Sequence, residues 1–127
     1  MKAWLLLSAI TAFAIPVLAQ VKGRDSSWVA PASESERVNP LATRIDLKTG
    51  GEKLYRKRCA TCHAQDGSGT TRGPRLVDPD VQAQNDGALF WKVSSGNSHE
   101  GMPAFSFLPE LQRWQIVLHL RALKTSE

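Results

Sequence analysis

The apolar positions of this chain form one unbroken block and three periodic segments. The block covers residues 3–15 and carries no charge. Residues 20–43 follow with no apolar period. Pro31, Pro40 and the run Ser33-Glu34-Ser35-Glu36 mark them as a polar tether or an extended segment lying on the domain, with Trp28 their one large apolar group. From Ile45 the pattern tightens. Leu54, Tyr55 and Cys59 share one helical face, while Lys53, Arg56, Lys57 and Arg58 fall mostly on the other. Thr49 as N-cap and Glu52 three residues on predict a capping box at this helix's start. The second helix begins at Asn85 or Asp86, runs through Leu89, Phe90, Trp91 and Val93 to about Ser95, and stops at Gly96. The third takes Pro109 at its first position and presents Leu111, Trp114, Val117, Leu118 and Leu120 to about Leu123. Between the helices lie loops: Asp66 to Leu76, with three glycines and a proline close together, then Asp78-Pro79-Asp80, and later residues 96–101 leading into Met102-Pro103-Ala104-Phe105. No strand and no internal repeat emerges, so the class is all-α.

The apolar block reads as an export signal. Lys2 supplies its positive start, Pro16 breaks it, and Val17-Leu18-Ala19 offers small residues for cleavage after Ala19. An uncleaved membrane anchor is the alternative, because no charge falls between Lys2 and Lys22. The organisation expected is a signal peptide over 1–19, a polar tether over 20–43 and one domain over 44–127, in a periplasmic or exported protein. The formal charge is +4 and the pI about 9.4. That balance suggests acidic partners. No run of five Lys or Arg exists, which argues against nucleic acid.

The chemistry is concentrated in Cys59-Ala60-Thr61-Cys62-His63. Two cysteines three apart with a histidine directly after are the haem c attachment pattern. Each thiol adds across one vinyl group of the haem, and the short spacing lets both reach from one turn. His63 then lies beneath the iron as its proximal ligand. Other readings fit less well. Zinc wants four ligands, and no second cysteine pair exists; His99 and His119 lie too far apart in the chain to form the usual close pair. A thioredoxin-type pair needs a preceding strand, where this sequence reads as helix. A disulfide between Cys59 and Cys62 would close too small a loop to stabilise much. The sixth iron ligand decides the chemistry. Once the signal is cleaved Met102 is the only methionine, and it lies in a loop between Gly101 and Pro103 rather than on a helix face. His99, in the same loop, is its rival; His119 on the last helix reads as a packing or surface histidine.

The stretch from about Lys48 to Leu123 resembles the class I, mono-haem c-type cytochromes, the small soluble bacterial type. The motifs that carry the resemblance are Gly51-Glu52-Lys53-Leu54-Tyr55, Gly73-Pro74-Arg75-Leu76, Leu89-Phe90-Trp91, Gly101-Met102-Pro103-Ala104-Phe105 and residues 114–121. The resemblance implies a cytochrome c fold of three to four helices wrapped around one covalent haem c. It implies that Gly51 and Tyr55 pack on the last helix, that the Pro74 carbonyl accepts a hydrogen bond from His63 Nδ1–H, and that Met102 is the sulfur ligand. His119 stands where the family has an aromatic, usually tyrosine. The function expected is a non-enzymatic, monomeric electron carrier cycling Fe(II)/Fe(III) at a His/Met-ligated haem. Its cofactor-binding residues are Cys59, Cys62, His63, Pro74 and Met102, with His63 and Met102 on the metal. Lys53, Lys57, Arg72, Arg75 and Lys92 are the candidates for steering redox partners with acidic docking surfaces. The alternatives are a haem c subunit fixed to a dehydrogenase or terminal oxidase, and a haem enzyme or gas sensor with an open sixth site.

Overall fold

The computed structural model describes residues 19–123. The segment expected to be a signal peptide, apart from Ala19, lies outside them. The described residues form α1 (Ala32–Ser35), α2 (Lys48–Arg58), α3 (Ala60–His63), α4 (Pro79–Gln82), α5 (Asp86–Ser95) and α6 (Glu110–Leu123), with 3-10 turns at Ile45–Leu47 and Ser98–Glu100. Among them there is no strand, only an isolated bridge between Asn97 and Met102. The all-α class is therefore borne out, and α2, α5 and α6 are the three helices read from periodicity. No helix among the described residues is long and apolar enough to cross a membrane.

The start of α2 differs from the capping-box expectation. Leu47 occupies the cap with no side-chain hydrogen bond, because the turn Ile45–Leu47 runs straight into the helix and leaves Thr49 inside it. Glu52 is thereby freed to pair with Arg56 one turn on, at 2.7 Å. Of the other two long helices, α5 begins and ends as expected, and α6 ends at Leu123 as expected but begins at Glu110, with Pro109 just before it rather than at its first position. Asn85 precedes α5 in an extended conformation, and Gly96 ends it at a φ of 64°. In α6 the buried face is Trp114, Ile116, Val117, His119, Leu120 and Leu123, while Leu111 in the first turn is exposed. Arg121 lies in the last turn of α6. Its guanidinium donates to Asp86 and to the carbonyls of Gln82 and Gln84, and so staples α6 to the end of α4 and the start of α5.

The principal helix pair is α2 against α6. A Cβ on Gly51 would stand 2.0 Å from the Gln115 carbonyl oxygen, so the two backbones cross at a distance only glycine permits. Tyr55, Ile116 and Val117 are fully buried at this crossing. His119 fills the aromatic place opposite Tyr55, ring centroids 4.9 Å apart. Phe90 of α5 stacks on Trp114 of α6 at 3.9 Å and completes the core.

Residues 20–43 lie on this core. Ala30, Asn39 and Leu41 are buried. Asn39 Nδ2 reaches the Trp114 carbonyl, its Oδ1 accepts from the Leu41 amide, and Arg37 lies over the Phe90 ring. A Cβ on Gly87 would meet the Glu34 carbonyl oxygen at 2.1 Å, so α5 receives this segment backbone to backbone.

The buried His119 generates a pH prediction. Its Nδ1 has no hydrogen-bond partner. Burial pushes its pKa below the ordinary imidazole value; Glu52 opposes that shift, and Lys48 and Arg56 reinforce it. The unfolded chain therefore takes the proton first, and stability falls as pH drops below about 6.5 toward the folded-state pKa. Replacing His119 by Phe removes both the titration and the orphaned nitrogen, whose burial costs about 1–3 kcal/mol. His119→Phe should melt a few degrees above the parent near neutrality. The gap should widen in thermal melts at mildly acidic pH; a gap that does not change with pH would refute the assignment.

Candidate haem c site

The site is built on the junction of α2 and α3. The Cys59 amide closes the last turn of α2 on the Tyr55 carbonyl at 2.8 Å, and the Cys62 and His63 amides turn back on the Cys59 carbonyl. One tight turn therefore presents both thiols and the imidazole. Ala64 then leaves the helix at φ 66° and ψ 160°, a region that side chains disfavour. The Tyr55 hydroxyl donates to the Ala64 carbonyl at 2.7 Å and holds this reversal against α2. Both cysteines are half-buried, and burial together with the neighbouring Cys62 pushes the Cys59 thiol up to about 12.

The glycine-rich loop wraps the imidazole. The Gly69 amide donates to the His63 carbonyl at 2.9 Å, and Thr70 Oγ1 to the Cys62 carbonyl at 2.6 Å. His63 Nδ1 lies 2.9 Å from the Pro74 carbonyl oxygen. A Cβ on Gly73 would stand 2.7 Å from the Cys62 carbonyl oxygen and 3.0 Å from His63 Nδ1, so glycine is what lets Pro74 approach. The Pro74 carbonyl fixes Nδ1 as the protonated nitrogen and leaves Nε2 with its lone pair. Burial lowers the His63 pKa more than that carbonyl raises it, which keeps the ring neutral and fit to ligate a metal.

Across the cavity stands the loop after α5. The Asn97 amide donates to the Met102 carbonyl and the Met102 amide to the Asn97 carbonyl, both at 2.9 Å. The Phe105 amide donates to the Val93 carbonyl at 3.0 Å, tying the loop's far end to α5. Cys59, Cys62, His63, Pro74 and Met102 all line one cavity. Its walls are otherwise largely apolar, with Leu76, Leu89, Val93, Phe105, Ile116 and Leu120. His99 is exposed and outside this lining. His119 is on the α2 face of α6, away from it. A thiol pair on one turn, a neutral imidazole oriented by a carbonyl and a thioether facing an apolar space fit a covalently held haem. Among the described residues no cluster of His, Cys, Asp and Glu could hold a lone metal ion instead.

Two features of the site were not legible in the sequence. Lys22, Arg24, Asp25 and Trp28, from the stretch read as a tether or overlying segment, line the same cavity. Trp28 packs on Trp91 at 6.2 Å between centroids and carries Lys92 over its ring at 4.9 Å. No periodicity or motif marks these residues; the lone tryptophan in a polar stretch was the single available signal. The expected steering cations also divide. Arg75 pairs with Asp78 at 2.9 Å, and Lys92 is drawn into the cavity wall, where burial lowers its pKa. Lys53, Lys57 and Arg72 remain exposed.

No curated protein matches the chain. A family model described as cytochrome C oxidase, cbb3-type, subunit III matches residues 46–120, which hold α2 through most of α6. The match spans more than half of the chain, so this protein belongs to that family, a c-type cytochrome domain whose cofactor is covalently bound haem c.

Proposed function

We propose that this chain is an exported, non-enzymatic electron carrier whose haem is held by thioethers to Cys59 and Cys62 and ligated by His63 and Met102. Bound haem supplies reversible one-electron exchange between ferrous and ferric iron. The protein supplies everything else. His63 presents Nε2 because the Pro74 carbonyl occupies Nδ1. Met102 presents a soft, neutral sulfur from a loop pinned at Asn97 and Phe105. Leu76, Leu89, Val93, Phe105, Ile116 and Leu120 would give a bound haem apolar walls, and His63 and Met102 would hold it from the two sides. A sulfur ligand also favours the reduced state relative to a second imidazole.

One observation carries the reading: His63 and Met102 line the same apolar cavity as both cysteines, and the competing His99 does not. It also counts against a haem enzyme or gas sensor with an open sixth site. The family description favours a second reading, in which the same haem domain is a fixed module of a terminal oxidase. Co-purification with a large oxidase complex from the native membrane would select it over a monomeric periplasmic carrier.

Two outcomes test the carrier. The ferric holoprotein should show the far-red charge-transfer band of a thioether ligand. Met102→Ala should abolish it, lower the reduction potential and open the ferrous form to carbon monoxide. A parent protein that already binds carbon monoxide rapidly would overturn the sulfur assignment. Docking of an acidic partner should depend on Lys53, Lys57 and Arg72, none of which has an ion-pair partner among the described residues. The bimolecular electron-transfer rate should fall steeply as ionic strength rises. The slope should flatten in Lys53→Glu/Lys57→Glu, measured by stopped flow, and remain unchanged in Arg75→Gln.

A further inference from the structure

The segment before α1 does more than cover the core. Residues 22–28 cross the mouth of the cavity from its His63 side to its Met102 side. At one end the Lys22 amide donates to the Thr70 carbonyl at 2.8 Å, in the loop that wraps His63. The Lys22 ammonium then reaches the opposite loop, donating to the Glu100 carbonyl and pairing with the Glu100 carboxylate at 3.2 Å. Asp25 follows. Its Oδ1 accepts from the Ser27 amide at 3.0 Å and the Ser27 hydroxyl at 2.5 Å, which fixes the carboxylate and leaves Oδ2 for Asn97 Nδ2 at 3.0 Å. At the far end Trp28 rests against Trp91 of α5. Arg24 pairs with Asp80 of α4 at 2.7 Å and anchors the middle.

Asn97 is the residue whose backbone holds the Met102 backbone in both directions. Asp25 therefore grips the side chain of the one residue that braces Met102, and Lys22 grips Glu100 within the same turn. The loop has no other regular structure than the turn Ser98–Glu100 and that bridge. A neutral thioether adds no charge attraction to hold itself on a metal, so the chain must hold it there.

We propose that residues 22–28 are a strap across the haem crevice, and that Asp25 and Lys22 are positioning residues for the loop that carries Met102. The strap's importance for ligation rests on the reading of Met102 as the sulfur ligand; its grip on the loop does not. These residues lie outside the 46–120 stretch that the family model matches.

The test uses the full holoprotein and the variants Asp25→Ala, Asn97→Ala and both together. Loss of one hydrogen bond of ordinary worth loosens the loop about fivefold. Amide hydrogen exchange at Asn97 and Met102 should therefore accelerate about fivefold or more in each single variant. Val117 and Leu120 in α6 should be unchanged, and the double variant should add little, because both changes break one contact. Parent-like exchange at Asn97 and Met102, or additive effects in the double variant, would overturn the strap. A second readout reports on ligation. In Asp25→Ala the ferric far-red band should disappear at a pH about 0.7 units lower on alkaline titration, the equivalent of a fivefold looser loop. Unchanged spectra in Met102→Ala would remove the sulfur ligand without touching the exchange result. Faster exchange with an unshifted band would confine the strap to loop order and overturn its positioning role.

Discussion

Two helix backbones touch at Gly51, and the rest of the molecule depends on that contact. The Gln115 carbonyl of α6 occupies the space a side chain on α2 would take. The approach buries Tyr55 completely, and Tyr55 in turn holds the Ala64 carbonyl just past His63. The same crossing aims Ile116 and Leu120 into the cavity that Cys59 and His63 line from the turn that follows α2. A wider crossing would part the two halves of the site. The glycine and the aromatic on α2 and the thiol pair at its junction with α3 are thus one mechanical unit, spaced so that packing at one end sets the position of chemistry at the other.

Around this unit the polar groups follow a consistent logic. Deep groups are neutral and held by carbonyls: His63 by Pro74, Tyr55 by Ala64, and Gln82 by the carbonyls of Leu76 and Leu120. Charged groups stay at the rim and staple segments together. Arg121 joins α6 to α4 and α5, Arg24 joins the N-terminal segment to α4, and Lys22 joins it to the Met102 loop. The Arg24 and Lys22 pairs, whose carboxylates are exposed, contribute little to global stability, whereas the Arg121 pair is half-buried. Their value here is positional, because they fix loops that have few buried contacts. His119 departs from the pattern: it occupies an aromatic place with an unpartnered nitrogen, and pH sensitivity of the helix contact follows.

Membership of the cytochrome family establishes a haem c domain suited to electron transfer. Its donor and acceptor are a matter of surface, and the surface is asymmetric. Lys53 and Lys57 project from the exposed face of α2, whereas Arg75 is paired with Asp78 at the surface and Lys92 lies over the Trp28 ring. Phe107 is 64 % exposed with Arg58 5.4 Å from its ring centroid, and Arg58 also borders the cavity.

What the sequence determined by itself was local. The helix periods, the Gly96 stop, the all-α class and the Cys59–Cys62–His63 turn depend on residues within a few positions of one another, and short-range sterics decide those. Proline and glycine at 73–74 were legible because the motif is contiguous, although the distance to His63 was not. What only the tertiary structure decided depends on residues far apart in the chain. Nothing near Thr49 reveals that a preceding 3-10 turn displaces the capping box, and nothing near Arg121 foretells its three partners more than thirty residues away. Residues 20–43 were the hardest to read. Their polarity suited a tether as well as an overlying segment, yet Trp28 packs on α5, Asn39 bonds to the Trp114 carbonyl of α6, and Lys22 and Asp25 hold the Met102 loop. Hydrogen bonds to distant backbone leave no periodic trace, so a segment held by them looks, in sequence alone, like one that is held by nothing.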